Sequence, residues 1–168
     1  SIAGETIDYG PCAFMETYDP DAVFSSIDKF GRYAYKNQPR IAQWNLARLA
    51  ETLLPLLEGE EQQAIDQATE VVGSFTHSYR QHWLNVMRSK LGLSGRVDDS
   101  DRIDTELAED WLTLLQTNNV DFTLGWRHLA DAAEGDRSPL QARMADHAAL
   151  DAWLSRWQAR CADEDQAS

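Results

Sequence analysis

The sequence has little cysteine, little base and no long apolar run. Cys12 and Cys161 are the only two cysteines in 168 residues. That excludes a disulfide scaffold and a cysteine-built zinc site, and makes a reducing compartment the default. No apolar stretch approaches the ~18 residues of a membrane span. The opening Ser1-Ile-Ala-Gly-Glu has neither the basic nor the apolar region of a signal peptide. A cytoplasmic location of the bacterial type is therefore expected. Lys plus Arg total 15 against 28 Asp plus Glu, a net charge of −13. So acidic a chain lacks the basic footprint that displaces counterions from nucleic acid. It equally lacks a polybasic face for a membrane surface.

The acidity is uneven. Residues 1–97 carry 12 acids and 9 bases, whereas residues 98–168 carry 16 acids and 6 bases. The hydrophobic fraction of 43% and charged fraction of 26% suit a folded domain.

Residues 1–40 differ from the rest. They hold Pro11, Pro20 and Pro39, and Tyr9, Tyr18, Tyr33 and Tyr35. Pro11 and Gly10 disfavour helix through Ile2–Met15. Thr6–Tyr9 reads as a short strand. Asp19-Pro20-Asp21 is a helix-start signal, so a short helix over Pro20–Ile27 is expected. Gly31–Gln38 reads as a loop.

From residue 41 the apolar period becomes 3.6. Ile41, Trp44, Leu46, Leu49, Leu53 and Leu57 mark one helix, which Pro55 shortens or kinks and Gly59 ends. Glu60–Leu91 is a long second helix stopped by Gly92. Asp98–Asp101 leads into a third, carrying Ile103, Leu107, Trp111, Leu114 and Leu115. Asp121 caps a fourth that runs through Ala133. Pro139 or Leu140 opens a last helix through Cys161, with a frayed polar end over 162–168. Residues 41–168 thus read as a helical bundle. The six tryptophans all fall on these helices and are expected as core anchors.

Most candidate chemistry fails on spacing. His77, His82, His128 and His147 share no metal-ligand pattern. The acidic run from Asp98 to Asp104 misses the EF-hand positions and reads as a solvated helix start. No nucleophile elbow or Walker loop occurs. Cys12 has no neighbouring His or Lys to lower its pKa. Asp8-Tyr9-Gly10 remains. An Asp-aromatic-Gly triplet after a short strand is the form in which kinases present a metal-binding carboxylate. By itself such a triplet is equally a turn with a capping Asp.

The longer string Ser1-Ile-Ala-Gly-Glu-Thr-Ile-Asp-Tyr-Gly-Pro-Cys-Ala-Phe-Met-Glu-Thr-Tyr-Asp-Pro resembles the selenoprotein O family of protein adenylyltransferases. Gly31-Arg-Tyr-Ala-Tyr-Lys-Asn-Gln-Pro and Gln43-Trp-Asn-Leu look like the same family's next block. Looser matches are Lys90-Leu-Gly-Leu, Asp121-Phe-Thr, Arg127-His-Leu, and Trp153 with Arg156-Trp157. The resemblance implies a pseudokinase that transfers AMP from ATP to Ser, Thr or Tyr hydroxyls of proteins. It implies a mainly α fold: the helical C-lobe-like part of a protein-kinase-like domain, with a short extended N-terminal segment. Residues 1–40 would carry the metal-binding triplet and an activation-segment-like loop. Asp8 matches the family's ligand for Mg²⁺ or Mn²⁺, through which ATP is held.

The family's Asn-x-Asp-Asn segment, with its catalytic base, is expected upstream of Ser1, as are its glycine-rich loop and phosphate-binding lysine and arginines. Cys161 does not match the family's redox-active position. These 168 residues are therefore expected to be an inactive fragment of a larger enzyme, with exposed apolar residues in 1–40 and a tendency to self-associate. A different reading is a helical scaffold without chemistry, its acidic half meeting a basic partner.

Overall fold

The computed structural model describes residues 14–57, 59–95 and 100–166. The expected strand Thr6–Tyr9 lies outside them. The protein is mainly α. Helices α1 (Gln38–Leu53), α2 (Glu61–Leu91), α3 (Asp101–Thr117), α4 (Phe122–Ala133), α5 (Ser138–Gln141) and α6 (His147–Gln166) follow in order. Short 3₁₀ turns cover Tyr35–Asn37 and Leu54–Leu56. Extended pairing among the described residues is a single antiparallel bridge, Thr17 to Asp121.

The helix boundaries follow local chemistry. Pro39 occupies the first turn of α1, where its missing N–H is no loss. Pro55 falls in the 3₁₀ turn that ends the α1 pattern, as expected of a residue that cannot donate to the helix. Gly92 takes φ 72° after α2, and the Leu93 N–H donates to the Arg88 carbonyl at 2.8 Å. This is a Schellman stop, open to glycine because a Cβ disfavours that backbone region. Asp121 caps α4 by accepting from the Leu124 N–H at 2.8 Å.

The core lies between α3, α6, α4 and the last turns of α2. On α3 the buried positions are Asp104, Leu107, Ala108, Trp111, Leu112 and Leu115, the stripe of a helix packed on one face. Trp111 and Trp153 have ring centroids 4.5 Å apart, and Trp153 and Trp157 stack at 5.8 Å. The indole N–H of Trp153 donates to the Leu107 carbonyl at 3.0 Å, and that of Trp157 to the Leu91 carbonyl at 2.8 Å. Each indole thus buries its apolar body and satisfies its polar atom on a neighbouring helix.

Three expectations change. Pro20–Ile27 is not helical. Asp19 accepts from the Asp21 N–H at 2.8 Å and closes a turn at Ala22 instead. The carbonyls of Pro20 and Ala22 then receive the N–H groups of Lys36 and Tyr35, holding the segment as a folded-back loop. The last helix is two. After α5 the chain turns, Asn118 Oδ1 takes the Ala145 N–H at 2.8 Å, and Asp146 restarts the helix by capping Ala149. Met144 is buried in that turn rather than on a helix. The end of α6 does not fray at 162, because Glu164 is buried and bonded.

The tryptophans also divide. Trp111, Trp153 and Trp157 are buried, and Trp83 and Trp126 are partly so. Trp44 stays 47% exposed, because α1 buries no residue fully and packs mainly on α2.

Gly125 on α4 marks a close helix crossing. A Cβ built there would lie 2.5 Å from Leu115 Cδ2, and Leu115 is fully buried. Gly125→Ala should therefore destabilise by about 1–2 kcal/mol, the overpacking outweighing the gain in helix propensity. Chemical denaturation of the two proteins measures it.

Candidate functional site

Asp8, with Tyr9, Gly10 and Cys12, lies outside the described residues. The structure does describe the segment that follows, and shows how the helices hold it. The Phe122 N–H donates to the Glu16 carbonyl at 2.6 Å, and the Tyr18 N–H to the Val120 carbonyl at 3.4 Å. Residues 16–18 are thus tied to the α3–α4 turn. The Tyr18 ring stacks on Phe122 at 5.5 Å and meets Tyr35 edge-on at 6.1 Å. The loop returns over Asp28, whose carboxylate accepts the Arg32 and Tyr33 N–H groups at 2.8 and 2.7 Å. Asn37 closes it by donating to the Gly31 carbonyl at 2.8 Å.

Beneath this loop is a groove of about 500 Å³. Its walls include Tyr18, Tyr35, Gln38, Tyr79, Trp83 and Glu109. Burial raises the phenol pKa of Tyr18, Tyr35 and Tyr79. The neighbouring phenols add to the rise for Tyr18 and Tyr79. All three phenols line the groove in their neutral form.

Several residues of the family strings join helices to one another. Gln43 donates to the Val72 carbonyl at 3.1 Å and joins α1 to α2. Lys90 sits 5.2 Å from the Trp126 ring. Arg156 pairs with Asp110 at 2.6 Å across α6 and α3. Asp121, Trp153 and Trp157 act as already described.

The histidines take surface or hydrogen-bonded positions. His77 and His82 are exposed. His128 Nδ1 lies 2.8 Å from Asp131, and His147 Nε2 lies 3.0 Å from the Gln141 carbonyl. The Cys161 thiol is half-buried, 3.9 Å from the Leu91 carbonyl. Among the described residues, no group of three or more His, Cys, Asp or Glu could hold a metal. The metal reading therefore rests on Asp8. Carboxylate is the right donor type for a hard divalent cation, but one carboxylate is an incomplete set unless phosphate oxygens and water complete it.

The acidic helix start hides a buried ion-pair network. Asp104 is fully buried rather than solvated. Its carboxylate receives Arg88 Nε at 2.6 Å, Arg160 Nε at 2.7 Å and the Ser100 hydroxyl at 3.0 Å. Arg160 also bonds Glu164 at 2.5 Å, and Ser94 donates to that same carboxylate. Arg88 continues to Asp101 at 2.7 Å. The network joins α2, α3 and α6 at one end of the core. One signal was legible: Arg160 and Glu164 continue the stripe of Leu150, Trp153 and Trp157 at helical spacing. Charged residues on an apolar stripe are buried only when paired.

The fold and site together define a helical domain with a tethered loop crossing one face and no complete set of catalytic groups among the described residues. The chain belongs to the SelO family. A family profile described as Protein adenylyltransferase SelO matches residues 1–168. A protein nucleotidyltransferase YdiU of Chromobacterium violaceum is 55% identical over 161 residues, which is 95% of this chain and 33% of that protein. A relative of the same name from Cereibacter sphaeroides is 53% identical over 98% of this chain. Another, from Agrobacterium fabrum, is 49% identical over 98%. The chain spans about one third of the length of these relatives.

Proposed function

We propose that this chain is part of a protein adenylyltransferase that moves AMP from ATP to Ser, Thr or Tyr hydroxyls of proteins. The observation that carries this is the family match along residues 1–168, with the Asp8-Tyr9-Gly10 triplet at its head. In the reaction, the acceptor oxygen attacks the α-phosphorus, the bond to the β-phosphate breaks, and pyrophosphate leaves. The hydroxyl proton passes to a base that the family places in its Asn-x-Asp-Asn segment. Bound Mg²⁺ or Mn²⁺ would supply charge neutralisation on the phosphate oxygens. Asp8 would contribute one carboxylate oxygen to hold it. The loop over residues 14–37 corresponds to an activation segment, fixed at Tyr18 and at Asn37.

The helical domain is then the platform of a kinase-like C-lobe. Residues 1–168 alone offer one metal ligand and no glycine-rich loop, so they should not transfer AMP. The test uses ATP labelled at the α- or γ-phosphate, with Mg²⁺ or Mn²⁺ and an acceptor protein. The full-length protein is expected to deposit α-label, and residues 1–168 none above a no-protein control. Deposition of γ-label would mean phosphoryl transfer instead. Transfer by residues 1–168 would refute the division of labour proposed here.

A further inference from the structure

Between Asp21 and Glu51 the chain carries a local excess of base. Residues 22–50 contain Lys29, Arg32, Lys36, Arg40 and Arg48 but only one acid, Asp28, within a chain of net charge −13. The Asp28 carboxylate is already engaged by two backbone N–H groups of its own loop. Lys36 and Arg48 have ion-pair partners in Asp21 and Glu51. Lys29, Arg32 and Arg40 are exposed and form no ion pair among the described residues.

Apolar surface lies among these cations. Phe30 is 98% exposed and Ile27 88%. Together with Asp28, Lys29, Arg32 and Tyr33 they line an open cleft of about 400 Å³, in which the two cations outnumber the one carboxylate. The Arg32 guanidinium lies 4.7 Å from the centroid of the half-exposed Trp44 ring and 5.7 Å from that of Tyr33. Cation–π contact fixes the guanidinium without neutralising it.

We propose that this cleft docks an acidic polypeptide segment carrying an aromatic or large aliphatic side chain. The apolar side chain would seat against Ile27 and Phe30, and flanking carboxylates would meet Lys29 and Arg32. Charge complementarity selects this occupant. A Debye length of about 8 Å at physiological salt lets a short segment respond to the cations of the cleft itself. The proposal stands apart from the adenylyl-transfer reading, since binding is read directly.

The experiment measures fluorescence anisotropy of a fluorescein-labelled Glu-Asp-Glu-Phe-Asp-Glu peptide on the full-length protein. The control peptide is Gln-Asn-Gln-Phe-Asn-Gln. The acidic peptide should bind more tightly and weaken as salt rises. Lys29→Glu with Arg32→Glu should lower its affinity about tenfold, as removal of complementary charges does. The milder pair Lys29→Gln with Arg32→Gln should lower it less, with the circular dichroism spectrum unchanged. Arg102→Glu on α3, which changes the net charge as much as the Gln pair does, should leave it unaltered. Equal binding of the neutral peptide, equal loss in Arg102→Glu, or no binding at all would overturn the proposal. Stronger binding to phosphatidylserine vesicles would overturn it in favour of a membrane. A salt-sensitive dimer in sedimentation, abolished by the double reversal, would overturn it in favour of a second copy.

Discussion

Asp104→Ala is expected to lower the unfolding free energy by about 3–5 kcal/mol, the loss typical when one partner of a buried ion pair is removed. Asp104 is fully buried between Arg88 and Arg160, and its oxygens accept from both guanidinium groups and from Ser100. Removing the carboxylate leaves two cations in the interior without their main counter-charge. Urea denaturation followed by tryptophan fluorescence measures the change, since Trp111, Trp153 and Trp157 lie in the same core. A loss below about 1 kcal/mol would show that water reaches the guanidinium groups.

The same network sets an acid limit. Burial alone raises the Asp104 carboxyl pKa. Hydrogen bonds from Arg160, Arg88 and Ser100 outweigh burial and hold it below the ordinary 3.8. A depressed folded pKa contributes stability above the unfolded value of about 3.9. That contribution is lost as pH falls below it toward the folded pKa. The acid limb of the stability curve should therefore flatten in Asp104→Asn, below about pH 4.

Asp8→Ala in the full-length protein is expected to reduce AMP transfer by at least about a hundredfold, the scale on which a group stabilising transition-state charge acts. Asp8→Asn should lose nearly as much, because the amide keeps the shape but not the charge that a hard cation needs. The melting temperature of both variants should match the parent in the absence of nucleotide. Adding Mg²⁺ and ATP should raise the parent's melting temperature more than the variants'. Transfer within a fewfold of the parent would refute the metal assignment.

Local chemistry made most helices legible. Gly92, Asp121 and the apolar stripe on α3 each act within a few residues, so their effect is written in sequence order. The Pro20–Ile27 expectation failed because Asp19 and Pro20 begin a turn as readily as a helix. The choice was made by Tyr35 and Lys36, whose N–H groups claim carbonyls more than a dozen residues back. The single last helix failed for a similar reason, since Asn118 reaches across to the Ala145 N–H. The acids before Asp104 suggest a solvated position, and the arginines that bury it lie on α2 and α6, distant in sequence.

The sequence by itself determined the mainly α class, the helix stops and the family. These depend on periodicity, capping residues and a long matching string, all of them local or linear. Tertiary structure alone decided which charged residues are buried, which tryptophan stays exposed, and how residues 14–37 fold back. Those outcomes depend on pairings between α2, α3 and α6, and between the loop and the α3–α4 turn. Desolvation and counter-charge act through space, so a burial that is prohibitive for a lone carboxylate becomes stable once two arginines converge on it.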